Sequence, residues 1–129
     1  MSVLIPGDPQ WPEGLTDLPA PPVCLWVHGP LDLSRLRWGA VSIVGSRAAT
    51  PYGRDVATSF AAGLGERGYA VVSGAAFGID VAAHRGALAA GRGGTVAVLA
   101  GGIDRPYPTA HAPLLARLRE EGAVVSESP

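Results

Sequence analysis

Val41-Ser42-Ile43-Val44-Gly45-Ser46-Arg47-Ala48-Ala49-Thr50-Pro51 reads as a strand, a turn of small residues and the start of a helix. The β-branched run supplies the strand. Thr50 is a good N-cap, and Pro51 falls at the first helical position, where its missing N–H removes no hydrogen bond. Beyond it Val56, Phe60 and Leu64 recur every fourth residue as one apolar stripe, and Gly68 is a good stop. The unit then repeats. Ala70-Val71-Val72 precedes Ser73-Gly74, Thr95-Val96-Ala97-Val98-Leu99 precedes Gly101-Gly102, and Ala123-Val124-Val125 lies near the end. Asp80 is expected to cap a second helix running to Gly91, and Thr109 a third carrying Leu114, Leu115 and Leu118. Four buried strands alternating with crossover helices predict an α/β fold with a parallel sheet.

Upstream of this body, residues 1–38 differ in kind from residues 39–129. Pro6, Pro9, Pro12, Pro19, Pro21, Pro22 and Pro30 crowd the first part together with all three tryptophans. Proline at that density forbids long helices, so the segment reads as an extended lead-in packed on the main body. Its one apolar run, Val23-Cys24-Leu25-Trp26-Val27, predicts a single docked strand.

The 129 residues, 47% hydrophobic and 16% charged, exclude a disordered chain and allow one domain-sized core. The longest stretch free of Asp, Glu, Lys and Arg, Leu18 to Leu31, is too short for a membrane span. The first residues show no basic region followed by a long apolar core, so a cytoplasmic protein without membrane partners is expected. Cys24, the single cysteine, permits neither an internal disulfide nor a CxxC pair. The three histidines are scattered, and neither a metal nor a cofactor is expected. All ten basic residues are arginines and the formal net charge is −1, so any nucleic-acid contact must be local.

In a parallel sheet the ligand sits beyond the carboxyl ends of the strands. Glycine and small polar residues concentrate there: Gly45-Ser46-Arg47, then Ser73-Gly74-Ala75-Ala76-Phe77-Gly78-Ile79-Asp80, then Gly101-Gly102-Ile103-Asp104-Arg105-Pro106-Tyr107-Pro108. Backbone N–H groups at helix N-termini and a forked arginine suit an anion. A dinucleotide site fits poorly, because G-x-G-x-x-G is absent and the second strand ends in Ser73 rather than an acidic residue. The missing lysine excludes a P-loop.

The motifs Ile43-Val44-Gly45-Ser46-Arg47, Thr50-Pro51-Tyr52-Gly53, Val72-Ser73-Gly74-Ala75-Ala76, Gly78-Ile79-Asp80, Ala83-His84, Ala97-Val98-Leu99-Ala100-Gly101-Gly102, Tyr107-Pro108 and Ser126-Glu127-Ser128-Pro129, in this order, resemble the bacterial DNA-processing protein A family, DprA or Smf. Trp11-Pro12-Glu13-Gly14-Leu15, Pro21-Pro22 and Leu25 in the lead-in match as well. The resemblance implies a Rossmann-like three-layer fold with a mostly parallel sheet. It also implies a protein that binds single-stranded DNA and helps load RecA on it during natural transformation.

By the same resemblance Gly45, Ser46 and Arg47 stand where the family's G-S-R loop holds a DNA phosphate. Ser73, Gly74, Gly78 and Gly101 would line the same pocket. Asp80 and His84, four apart on a helix, are placed to pair in a supporting role, with His84 orienting Asp80, satisfying a buried polar group or touching DNA; Tyr107 is a base-stacking residue or a packed loop anchor. His111 lies where the family more often has asparagine, and Ala75 and Phe77 fall at variable positions. The family continues past the equivalent of Pro129 with an R-N-R-I-I-A-type segment, another strand and a Gly-Ser-rich loop. The chain is therefore expected to be a truncated copy, incomplete at its C-terminus, with compromised binding and an open strand edge that favours self-association or a homodimer. Two alternatives remain on the same fold: a nucleoside-monophosphate phosphoribohydrolase, whose P-G-G-x-G-T-x-x-E motif is absent, and a nucleotide sensor. No catalytic residue is expected.

Overall fold

Six strands form one mixed sheet in the computed structural model, which describes residues 1–105 and 108–129. In chain order they are β1 (Ser2–Leu4), β2 (Leu25–His28), β3 (Ala40–Ser42), β4 (Ala70–Ser73), β5 (Thr95–Leu99) and β6 (Ala123–Ser126). The spatial order is β1-β2-β6-β5-β4-β3. The three pairs from β3 to β6 are parallel, and β2 joins β6 antiparallel, with β1 antiparallel to β2. The lead-in thus contributes β1 beside the expected strand, which begins at Leu25 rather than Val23.

Register sorts the sheet into two faces. Val71 lies level with Thr95, and Ala97 with Val124, so these residues share one face, which the helices α1 (Pro51–Glu66), α2 (Ile79–Ala90) and α3 (Ala112–Glu121) cover. Val72, Val96, Ala123 and Val125 point the other way and pack on Trp11, Leu25, Val27, Leu31 and Leu33. The third layer is the proline-rich lead-in, with short 3-10 helices at Glu13–Asp17 and Leu33–Trp38. None of the helices is long and apolar enough to cross a membrane, among the described residues.

Helix starts and stops follow local chemistry, with some departures from expectation. Thr50 caps α1, its Oγ1 accepting from Gly53 N–H at 3.1 Å with Pro51 next to it. Leu114, Leu115 and Leu118 are buried on α3, which a 3-10 turn at Thr109–His111 precedes. Asp80 is not a cap: Gly78 takes that position, and α2 ends at Gly91 in the left-handed region, as expected. The apolar stripe of α1 holds in part: Leu64 packs on the core and Val56 is half-buried, but Phe60 is not part of the buried face. Ala57, Ala61 and Gly65 are buried while Phe60 is 65% exposed, because α1 presses close to α2. A Cβ on Gly86 would stand 2.3 Å from the Thr58 carbonyl oxygen, and one on Gly65 2.8 Å from Ala90 Cβ. Only small residues allow that approach. The first strand of the body, β3, is an edge rather than a buried strand, with Ala40 and Ser42 exposed.

Candidate functional site

Three loops leave the carboxyl ends of β3, β4 and β5 side by side. A cavity of about 260 Å³ opens between them, lined by Arg47 from the first, Gly74, Ala76 and Phe77 from the second, and Ala100, Gly101, Arg105 and Pro108 from the third. Of the residues singled out in the sequence, Arg47, Gly74 and Gly101 meet in this cavity. Arg105 joins them. Both guanidiniums are exposed and, among the described residues, neither has a hydrogen-bond or ion-pair partner. Other arginines are engaged: Arg54 Nη1 donates to the Ala49 carbonyl at 2.7 Å, and Arg35 to that of Arg92.

The remaining candidates shape the loops from behind. Ser46 Oγ accepts from Ala48 N–H at 3.1 Å, fixing the turn that carries Arg47. Gly45 makes room for Ile79, whose Cγ1 would lie 2.8 Å from a Cβ there. Gly78, at φ +80, brings the second loop against the first; a side chain would meet the Ser46 carbonyl oxygen at 2.2 Å. Ile79 N–H donates to that same oxygen at 3.2 Å. Ser73 is buried, and its hydroxyl donates to the Ile43 carbonyl, tying β4 to the end of β3. Ser73 and Gly78 therefore do not line the cavity. Tyr107 lies outside the described residues.

Asp80 and His84 do not pair with each other. Asp80 Oδ2 accepts from Gly74 N–H at 3.1 Å, so that N–H is already used within the protein. His84 is fully buried; its Nε2 accepts from Ala75 N–H at 3.2 Å, and its Nδ1 lies 2.8 Å from Thr95 Oγ1. Thr95 spends its single proton on the Val71 carbonyl at 2.7 Å. Its oxygen must therefore accept from Nδ1–H, which leaves Nε2 with the free lone pair. Burial pushes the His84 pKa down to about 4, helped by nearby His111 and opposed by Asp80. His111 Nδ1 donates to the Ala75 carbonyl at 2.9 Å. Ala75, a non-glycine residue at φ 58 and wholly buried, is thus held at both its N–H and its C=O by imidazoles.

Sequence reasoning missed Arg105 and the His111 clamp. Arg105 lay in a loop already singled out, but spacing could not show that it turns toward Arg47. The clamp joins positions 36 residues apart, a separation that leaves no local pattern.

Residues 2–129 match the family model for DNA recombination-mediator protein A. The chain is 46% identical to a DNA processing protein DprA of Mycobacterium tuberculosis and 40% identical to Protein Smf of Escherichia coli, each over 98% of its own length. It covers 35% and 33% of those two proteins, so it spans about a third of the length of the curated relatives it matches. The X-ray structure of DNA processing protein A from Streptococcus pneumoniae superposes with a TM-score of 0.87 at 35% identity, over 98% of this chain and 43% of that one. The corresponding protein of Helicobacter pylori, whose structure was solved for its single-stranded DNA binding mode, gives a TM-score of 0.84 at 29% identity, over 98% and 54%.

Proposed function

The chain belongs to the DNA recombination-mediator protein A family, and on that premise we propose that its three-loop cavity binds single-stranded DNA through the phosphate backbone. The observation that carries this reading is the pair of exposed guanidiniums, Arg47 and Arg105, without partners among the described residues and on separate loops of one cavity. Each offers a rigid fork of donors to a phosphate, and two of them make a local cationic site on a chain whose net charge is −1. The single-stranded DNA binding of the Helicobacter relative supports the same reading. For the whole protein, RecA loading in natural transformation, self-association and a cytoplasmic location belong to the proposal by family resemblance.

The reading is of binding without turnover. Asp80, the buried carboxylate among the described residues, accepts from Gly74 N–H and so shapes the loop. Incubation with AMP should release no free adenine, and thermal shifts should be larger with oligo-dT than with AMP. Adenine release above that of an Arg47→Ala control, or stabilisation by AMP alone, would favour the phosphoribohydrolase or sensor alternative.

The deciding experiment is fluorescence anisotropy with labelled oligo-dT at two salt concentrations. A hydrogen bond to a charged group is worth about 1.5 to 3 kcal/mol, so Arg47→Ala and Arg105→Ala should each weaken binding roughly tenfold to a hundredfold. Each should also reduce the salt slope by about 0.7, the single-strand value per phosphate contact. Arg85, exposed on α2 away from the cavity, is the control. Equal affinities for Arg47→Ala, Arg105→Ala and Arg85→Ala, all folded, would overturn the assignment.

A further inference from the structure

The loop after β4 carries Gly74 and Gly78, yet its two backbone donors next to the strand end are spent inside the protein. Gly74 N–H goes to Asp80 and Ala75 N–H to His84. What this loop turns toward the cavity is apolar: Ala76 and the ring of Phe77, which is 46% exposed. An exposed aromatic ring that shares a cavity with two guanidiniums has the chemistry of a stacking platform.

The ring is also held in place. Its centroid lies 4.5 Å from that of the His111 imidazole, tilted by 58°, a contact at the short end of the centroid range of aromatic pairs. His111 is in turn fixed by its hydrogen bond to the Ala75 carbonyl. A platform ordered before binding loses little freedom when a base settles on it.

Resting on the single-stranded DNA reading above, we propose that Phe77 is a base platform: one unstacked base of the strand lies against its outer face while Arg47 and Arg105 hold phosphates on either side. Recognition is then by π-face and phosphate together, with little preference among bases.

The test compares labelled oligo-dT with an abasic oligonucleotide of equal length, which keeps the phosphates and lacks the bases. The wild-type chain should bind dT more tightly than the abasic strand. Phe77→Leu, which keeps an apolar contact for His111, should lose about fivefold to a hundredfold on dT, the range for one stacked base, and nothing on the abasic strand. Arg47→Ala should weaken both. Phe77→Trp should keep the dT affinity, and its emission should be quenched by dT beyond the wild-type change. Loss of dT and abasic binding in equal measure by Phe77→Leu, or no loss of either, overturns the platform while leaving the DNA reading intact. Should the leucine variant unfold, the tryptophan variant decides alone, and emission unchanged by dT overturns the platform. A wild-type chain that binds neither strand overturns the DNA reading itself.

Discussion

Arg54 shows how far a side chain's task can depart from its place on a helix. One turn into α1, exposed, it reads as a solvated arginine, but its guanidinium donates to the Ala49 carbonyl at 2.7 Å and so braces the loop that carries Arg47. An ordinary hydrogen bond of this kind is worth about 0.5 to 1.5 kcal/mol, so Arg54→Ala should weaken oligo-dT binding about twofold to tenfold, less than Arg47→Ala. Unchanged affinity in the anisotropy assay would show the brace to be idle.

His84 makes a prediction about pH. Its folded pKa of about 4 lies below the 6.5 of an exposed imidazole, so between these values the unfolded chain takes up a proton that the folded one refuses. Stability is full above pH 6.5, falls as pH is lowered toward 4, and levels off below; the loss from this group is on the order of 3 kcal/mol. Urea unfolding at pH 7 and pH 4.5 should show a smaller difference for His84→Gln than for wild type, and an equal difference would count against a buried neutral imidazole. The i, i+4 spacing of Asp80 and His84 was visible in the sequence. Their true partners were not, because Gly74, Ala75 and Thr95 meet them only once α2 has packed on the sheet.

Among the elements, α1 and α2 show the same limit in packing. Period four was legible in α1, and hydrophobicity pointed to Val56, Phe60 and Leu64, of which Leu64 packs on the core, but Phe60 is exposed and the fully buried positions are Ala57, Ala61 and Gly65. Close helix approach selects for small size, which a hydrophobic pattern does not report. The glycines of this pair therefore differ in sign. Gly86→Ala drives a Cβ into the Thr58 backbone at 2.3 Å and should destabilise by about 1 to 3 kcal/mol. Gly63→Ala meets only the far end of Arg67, at 3.9 Å, and should stabilise by up to about 1 kcal/mol through helix propensity. Urea midpoints shifting in the same direction for both would contradict this helix packing. Strand placement was more legible, since β4, β5 and β6 are β-branched runs with glycine close by. The pairing of β2 with β6 was not, because nothing local names a partner so distant in sequence.

For the whole molecule, the sheet ends in two edge strands, β1 and β3, with no further strand beyond either among the described residues. At β3, Val44 just past the strand is 69% exposed, and Tyr52 and Phe60 on α1 are 78% and 65% exposed. On the lead-in side an apolar groove of about 460 Å³ runs from Leu15 to Val98. Unpaired edges and apolar surface invite association. Light scattering after size exclusion should show mass rising with concentration, and Ser42→Lys, a charge on the exposed edge, should suppress that rise. A monomer at every concentration would remove the edge as a cause of self-association.

The antiparallel pairing of β2 with β6 joins Val27 to Val125, residues far apart in sequence. On a ribosome, Leu25-Trp26-Val27-His28 emerges before the three helices and the other parallel strands and waits for a partner that follows them all. Until Ala123–Ser126 leaves the exit tunnel the proline-rich lead-in is a tether without an anchorage, and only then does this sheet close.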